Sequence, residues 1–202
     1  MEKDIKAIIF DMGGVILRTE DKSSRTALAQ RFGLTRGEIE DLVFNSPSAI
    51  AATVGQIGER EHWQIVWDSL KVAEEERPAC EAAFWDGDVL DGDLLDFLRS
   101  QQGKRTTALL SNAWPGARDA LTYHYPCIDA FDVSVFSYEV KLAKPDPAIY
   151  RLILDRVGVQ PQQAIFLDDN IDNIASAGKM GIHAIRFLNT TQALSEIRSL
   201  IE

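Results

Sequence analysis

Five short, almost continuously apolar runs, at residues 5–10, 106–110, 133–136, 164–167 and 183–187, constrain this chain more than any other feature. Each is too brief for an ordinary helix and apolar at successive positions, as a strand covered on both faces should be. Longer segments of helical pattern separate them. Repetition of strand, helix, strand predicts an α/β fold with a parallel sheet. Two helix ends are legible: Asp146 followed by Pro147 opens one helix that Gly158 closes, and Asn170 opens another that ends near Gly181.

One interval breaks this rhythm. From about residue 17 to about residue 88 no strand is expected, only helical patterning. Thr35-Arg36-Gly37-Glu38 reads as a capping box, while Trp63, Val66, Trp67 and Leu70 share one helical face. Pro78 stands where the first turn of a further helix would begin. The expectation is a small all-helical cap, residues 17–88, inserted after the first strand of a core made of residues 1–16 and 89–202. A chain of 202 residues has material for one such core and a small lobe.

Charge narrows the function. A net charge of -10, from 31 acidic and 21 basic residues, opposes binding to nucleic acid or to an anionic membrane surface. A small anionic substrate stays compatible if a cation reverses the field in one cleft. No apolar run is long enough to span a membrane, and the first residues lack a signal-peptide pattern. Cys80 and Cys127 have no metal-ligand spacing and are expected as buried thiols. Cytoplasm is the expected location.

In a parallel sheet, ligands bind beyond the carboxyl ends of the strands. The residues placed there are Asp11-Met12-Gly13-Gly14, Ser111-Asn112 and Asp168-Asp169-Asn170. Each group alone could be turn or cap chemistry, but three of them at three strand ends predict a site. Two carboxylates about 4 Å apart repel by roughly 4 kcal/mol at an effective dielectric of 20. Asp11, Asp168 and Asp169 therefore need a cation to ionise together, and magnesium, which takes oxygen ligands, suits them. Lys141 and Lys144 lie in the segment before Pro147.

These residues resemble a known family. IIFDMGGV, LLSN, Lys144 in KPDPAIY, and IFLDDNIDN resemble, in order, the four motifs of the haloacid dehalogenase superfamily, over essentially the whole chain. The resemblance implies a Rossmann-like core with a helical cap. It also implies a magnesium-dependent phosphohydrolase acting on a small phosphorylated metabolite, such as a sugar phosphate, through an aspartyl-phosphate. Asp11 would be the nucleophile, with Ser111 and Lys144 completing the catalytic set. Asp11, the carbonyl of Gly13 and Asp169 would ligate the metal, and Asp168 would act through a metal-bound water. Ser111, Lys144 and backbone amides near Met12 and Asn112 would hold the phosphoryl group. Lys141 does not fit the pattern and reads as a surface residue. Asp172 and Asn173 read as first-turn residues of the following helix. A monomer or homodimer is expected.

At Gly13 the chain departs from the pattern. Family phosphatases commonly carry a second Asp there as general acid and base, help typically worth about 10²–10⁴-fold. The Asp-x-Gly sequence resembles a branch that includes sugar-1-phosphate phosphatases. Two alternatives stay open: a metal-independent 2-haloacid dehalogenase, and a non-catalytic protein that binds a phosphorylated ligand. Against the first, a metal-free site would gain only repulsion from Asp168 and Asp169. Gly13 favours the second, while retention of Asp11, Ser111 and Lys144 opposes it. His62, His124 and His183 are scattered and given no catalytic role. Trp63 and Trp67 are expected to pack within the cap, Trp114 to line the cleft, and Arg18 to be an exposed flap residue.

Overall fold

The computed structural model describes residues 4–201. Its strands are β1 (Ala7–Phe10), β2 (Leu17–Thr19), β3 (Asp88–Leu90), β4 (Thr106–Ser111), β5 (Val133–Phe136), β6 (Ala164–Asp168) and β7 (His183–Arg186). Five form one parallel sheet in the order β5-β4-β1-β6-β7. All five expected runs are in it. β1 is central, with a crossover to either side, so its carboxyl end is the place where strand order reverses and a crevice opens.

The two faces of β1 explain its unbroken apolarity. Ile8 and Phe10 pack with Leu109, Ile165 and Leu167 under Leu94, Leu98 and Ile197. Ala7 and Ile9 point the other way, with Ala108, Leu110 and Phe166 under Ile149, Ile153 and Ala177. Period-two alternation thus divides one apolar strand between two cores.

Helix punctuation follows the residues expected to supply it. Asp146 accepts from the Ala148 N–H at the start of Pro147–Val157, and Gly158, at φ 70°, ends that helix in the left-handed region. Asn170 accepts from the Asp172 and Asn173 N–H groups to start Ile171–Lys179. Thr35 and Glu38 form the complete capping box.

Five helices, Ser23–Arg31, Arg36–Phe44, Pro47–Thr53, Glu59–Ser69 and Arg77–Trp85, make the inserted cap. All but Pro47–Thr53 contribute to a core of their own, with Leu28, Ile39, Val43, Trp63, Val66, Trp67 and Phe84. The expectation of no strand between residues 17 and 88 needs correction. β2 and β3 pair antiparallel, Leu17 with Leu90 and Thr19 with Asp88, forming a two-stranded ribbon where the chain leaves and re-enters the core. Three-residue strands carry too little periodicity to be seen in sequence; closure of the insertion brings their edges together. Arg18 is corrected too. Its guanidinium donates to the Val15 carbonyl (2.6 Å) and to Asp91 (2.7 Å), which ties the ribbon to the core. Among the described residues no helix is long and apolar enough to cross a membrane.

Candidate active site

Register builds the site. Phe10 is paired with Leu167 on one side and Leu109 on the other. One residue further along, Asp11 therefore comes beside Asp168, and its N–H donates to the Leu167 carbonyl (2.9 Å). Ser111 ends β4 one position beyond, fully buried. Asp11, Asp168 and Asp169 each offer a carboxylate oxygen within 4.8 Å of the others.

Lys144 enters from the loop before Pro147. Its ammonium lies 2.7 Å from Asp11 Oδ1 and 2.7 Å from Asp168 Oδ2, with only 5% of the residue exposed. Burial works against that charge, but the two carboxylates outweigh it and raise the lysine pKa. Asp11 shows the opposite balance. Burial pushes its carboxyl up, Lys144 pulls it down and Asp168 pushes it up again, which leaves it at about 7. Removing either partner of such a buried pair leaves an uncompensated charge.

Asp168 is completely buried and engaged at both oxygens. Oδ1 accepts from the Asn170 N–H (2.8 Å) and Oδ2 from Lys144 (2.7 Å). The Asn173 carboxamide donates to both, at 3.1 and 3.0 Å. A cation would meet this residue's charge rather than an open ligand. Asp169, by contrast, is exposed, and its carboxyl is raised by partial burial and then by Asp168. Its side chain lies against Gly14, where φ is 77° and a β-carbon would collide with the carboxylate. The carboxylates of Asp11 and Asp169, the Asp168 charge beside them, and a cradle cleared by a glycine fit a divalent cation.

Of the remaining expected residues, Met12 donates its N–H to Asp11 Oδ1 (2.7 Å), and Gly13 is exposed and bridges Leu17. Asn112 places its side chain on the peptide groups of Lys144 rather than in the carboxylate cluster. Lys141 stays outside on an exposed turn. Two contributors were not expected from sequence. Asn173 holds Asp168, and Tyr150, buried beneath, donates its hydroxyl to the Asn173 carbonyl (3.0 Å). The signal for Asn173 was the Asn170 cap, because a residue three positions into a capped helix turns back toward the strand end that precedes it.

The histidines lie away from this cluster or in the cap. His124 is exposed, His183 faces the Gln162 carbonyl (3.1 Å), and buried His62 pairs with Ser48 (2.9 Å). Trp114 extends from the loop after β4 into the cap's aromatic core, 4.4 Å from the His62 ring and 5.9 Å from Phe44. Cys80 and Cys127 are buried free thiols, as expected.

Comparison with known proteins gives a consistent picture. A family model described as haloacid dehalogenase-like hydrolase matches residues 5–181. The chain is 27% identical to a phosphorylated carbohydrates phosphatase of Thermotoga maritima, over 98% of this chain and 91% of that protein. It is 30% identical to the fructose-1-phosphate phosphatase YqaB of Escherichia coli, over 88% of this chain and 94% of that one. A HAD family enzyme from Bacteroides thetaiotaomicron, solved with magnesium and inorganic phosphate, has the same fold. Its TM-score is 0.76 at 22% identity, covering 94% of this chain and 98% of that one. A further curated relative is matched over only 71 residues, 7% of its own length.

Proposed function

The chain belongs to the haloacid dehalogenase-like hydrolase family, and from that premise we propose that it is a magnesium-dependent phosphohydrolase of small phosphorylated metabolites with Asp11 as nucleophile. One observation carries this reading: the buried Lys144 ammonium held between Asp11 and Asp168, with Asp169 in the same cluster. Met12 and Lys144 aim the Asp11 carboxylate. Its free oxygen attacks phosphorus, and the ester P–O bond breaks as the new P–O bond forms. The departing oxygen keeps its electron pair and takes a proton from solvent, since Gly13 has none to give. Water then attacks the phosphorus, releasing inorganic phosphate and restoring Asp11. Lys144, Ser111 and the amides near Met12 and Asn112 balance the charge on the phosphoryl oxygens. Magnesium, when bound, supplies further stabilisation of that charge. Asp11, Asp169 and the Gly13 carbonyl would hold it, with Asp168 one water away.

The names of the two full-length relatives support sugar phosphates as the substrate class. A cap of residues 17–88 covering a core of 1–16 and 89–202 belongs to the same proposal, and the β2–β3 ribbon at the junction supports it. A cytoplasmic location and a monomeric or homodimeric state are further parts of the proposal. A metal-free dehalogenase is disfavoured, because two further carboxylates beside Asp11 would only raise its pKa. The test is a panel of phosphate esters assayed with magnesium and with chelator. Phosphate release should require the metal and fall by about 10³-fold or more in Asp11→Asn, whose amide cannot attack. Undiminished turnover in that variant would remove the covalent mechanism.

A further inference from the structure

Asn112 spends both ends of its carboxamide on the main chain of one residue. Its Nδ2 donates to the Lys144 carbonyl (2.9 Å), and its Oδ1 accepts from the Lys144 N–H (2.8 Å). Asn112 itself is exposed, whereas Lys144 is buried. An exposed carboxamide can satisfy itself with water at little cost, so a two-point bracket on a buried residue's main chain indicates a geometric constraint. The neighbouring residue is held in the same way. Ser137 Oγ, completely buried, accepts from the Ala113 N–H (2.9 Å) and donates to the Ala113 carbonyl (3.1 Å). A continuous line of contacts thus runs from Ser137 through Ala113 and Asn112 to Lys144, and from its ammonium to Asp11 and Asp168.

We infer that Asn112 is a positioning residue: it fixes the backbone of Lys144 so that the ammonium stands between Asp11 and Asp168, and its side chain does not contact the phosphoryl group. A lysine side chain has four rotatable bonds and many rotamers. Holding its Nζ at 2.7 Å from two oxygens requires a fixed starting point, and the sequence around Lys144 supplies no regular element to provide one: the residue lies in the loop between the helices Ser137–Val140 and Pro147–Val157. Ser176 steadies the following peptide by donating to the Pro145 carbonyl (2.6 Å). Among the described residues, Asn112 alone grips both peptide groups of Lys144 itself.

Assigning the bracket a part in turnover rests on the phosphohydrolase reading above; the bracket's effect on Lys144 does not. Two measurements separate them. First, Asn112→Ala should lower kcat/KM by roughly 10- to 100-fold, mostly in kcat, while thermal melting stays close to wild type. In a Lys144→Ala background the same substitution should cost little further, because the group through which it acts is gone. An equal loss in both backgrounds would mean that Asn112 contacts substrate directly, and the inference would fall. Second, a crystal structure of Asn112→Ala, without substrate, should show Nζ displaced from hydrogen-bond distance of Asp11 or Asp168. An ammonium unmoved from both would overturn the inference whatever the assays give. If Lys144→Ala does not fold, this structure decides the matter. If Asn112→Ala does not fold, Asn112→Ser, which can keep one bond of the bracket, replaces it in both measurements. Failure of both Asn112 variants to fold would assign the bracket to stability and refute a positioning role. Wild-type protein without metal-dependent turnover would sink the phosphohydrolase reading and leave the structure of the variant to judge the bracket.

Discussion

Gly13 and Gly14 are neighbours under opposite constraints. Gly14 has φ 77°, and a β-carbon there would strike the Asp169 carboxylate, whereas Gly13 has no positive φ and a β-carbon would meet nothing within 4 Å. Gly14→Ala should therefore displace Asp169 and weaken magnesium binding with little global unfolding, as calorimetry can test. Gly13→Asp should fold normally. Without an acid, wild-type kcat/KM should climb steeply as the leaving group's pKa falls, aryl phosphates outrunning alkyl ones. The new Asp should flatten that slope and raise the alkyl rates by about 10²-fold or more. A flat wild-type profile would show that another residue donates the proton. Asp11 gives a second expectation at this scale. Burial holds its carboxyl up at about 7 without metal, so below that pH a cation must displace a proton. Magnesium affinity should then be about tenfold weaker at pH 6 than at pH 8. Equal affinities would contradict that placement of the Asp11 titration.

At the scale of elements, Asp91 joins three of them. It caps the helix Gly92–Gln101 by accepting from the Leu94 N–H (2.9 Å), pairs with Arg18 of β2 (2.7 Å), and accepts from the Thr190 hydroxyl at the start of Thr190–Ile201. Burial raises its carboxyl pKa, but bonds from Thr190, Leu94 and Arg18 outweigh this and hold it below the usual value. A depressed carboxyl contributes stability above its unfolded pKa of about 3.8, and that contribution is lost as pH falls through the lower folded value. Asp91→Ala should cost about 2 kcal/mol in urea unfolding at pH 7, since it removes a helix cap and one partner of the partly exposed Arg18. The difference from wild type should shrink below pH 4. A constant difference down to pH 3 would mean that packing, not charge, is what the substitution removes.

For the whole molecule, cap and core meet at an aromatic joint. The four tryptophans of the chain, Trp63, Trp67, Trp85 and Trp114, lie in one cluster, and Trp114 is the member supplied by the core. Gly55 and Gly116 add close approaches, the first to the Tyr138 carbonyl and the second to the Glu59 carboxylate. Tryptophan fluorescence consequently reports the cap and its joint, while circular dichroism reports both units. In wild type the two unfolding midpoints should coincide. Trp114→Ala, costing about 2 kcal/mol for a half-buried ring, should move the fluorescence midpoint away from the dichroism midpoint. Midpoints that remain together in the variant would place the coupling elsewhere, with the β2–β3 ribbon the next candidate.

What the sequence determined by itself was local in origin. The central strand could be read from four consecutive apolar residues, the helix starts from Asp146-Pro147 and Asn170, and the cap from Thr35-Glu38 and the Trp63 face, because each signal depends on spacing within one element. The candidate residues Asp11, Asp168 and Asp169 were legible for the same reason: strand ends in a parallel sheet share one edge. Tertiary structure alone decided which side chains meet there. Nothing local distinguishes Asn112 as a bracket for Lys144, Asn173 as a holder of Asp168, Arg18 as a tie to Asp91, or Leu17–Thr19 as a strand. Those contacts arise only when register brings distant segments within hydrogen-bond reach, and register is set by closure of the whole sheet and its insertion, not by any window of the chain.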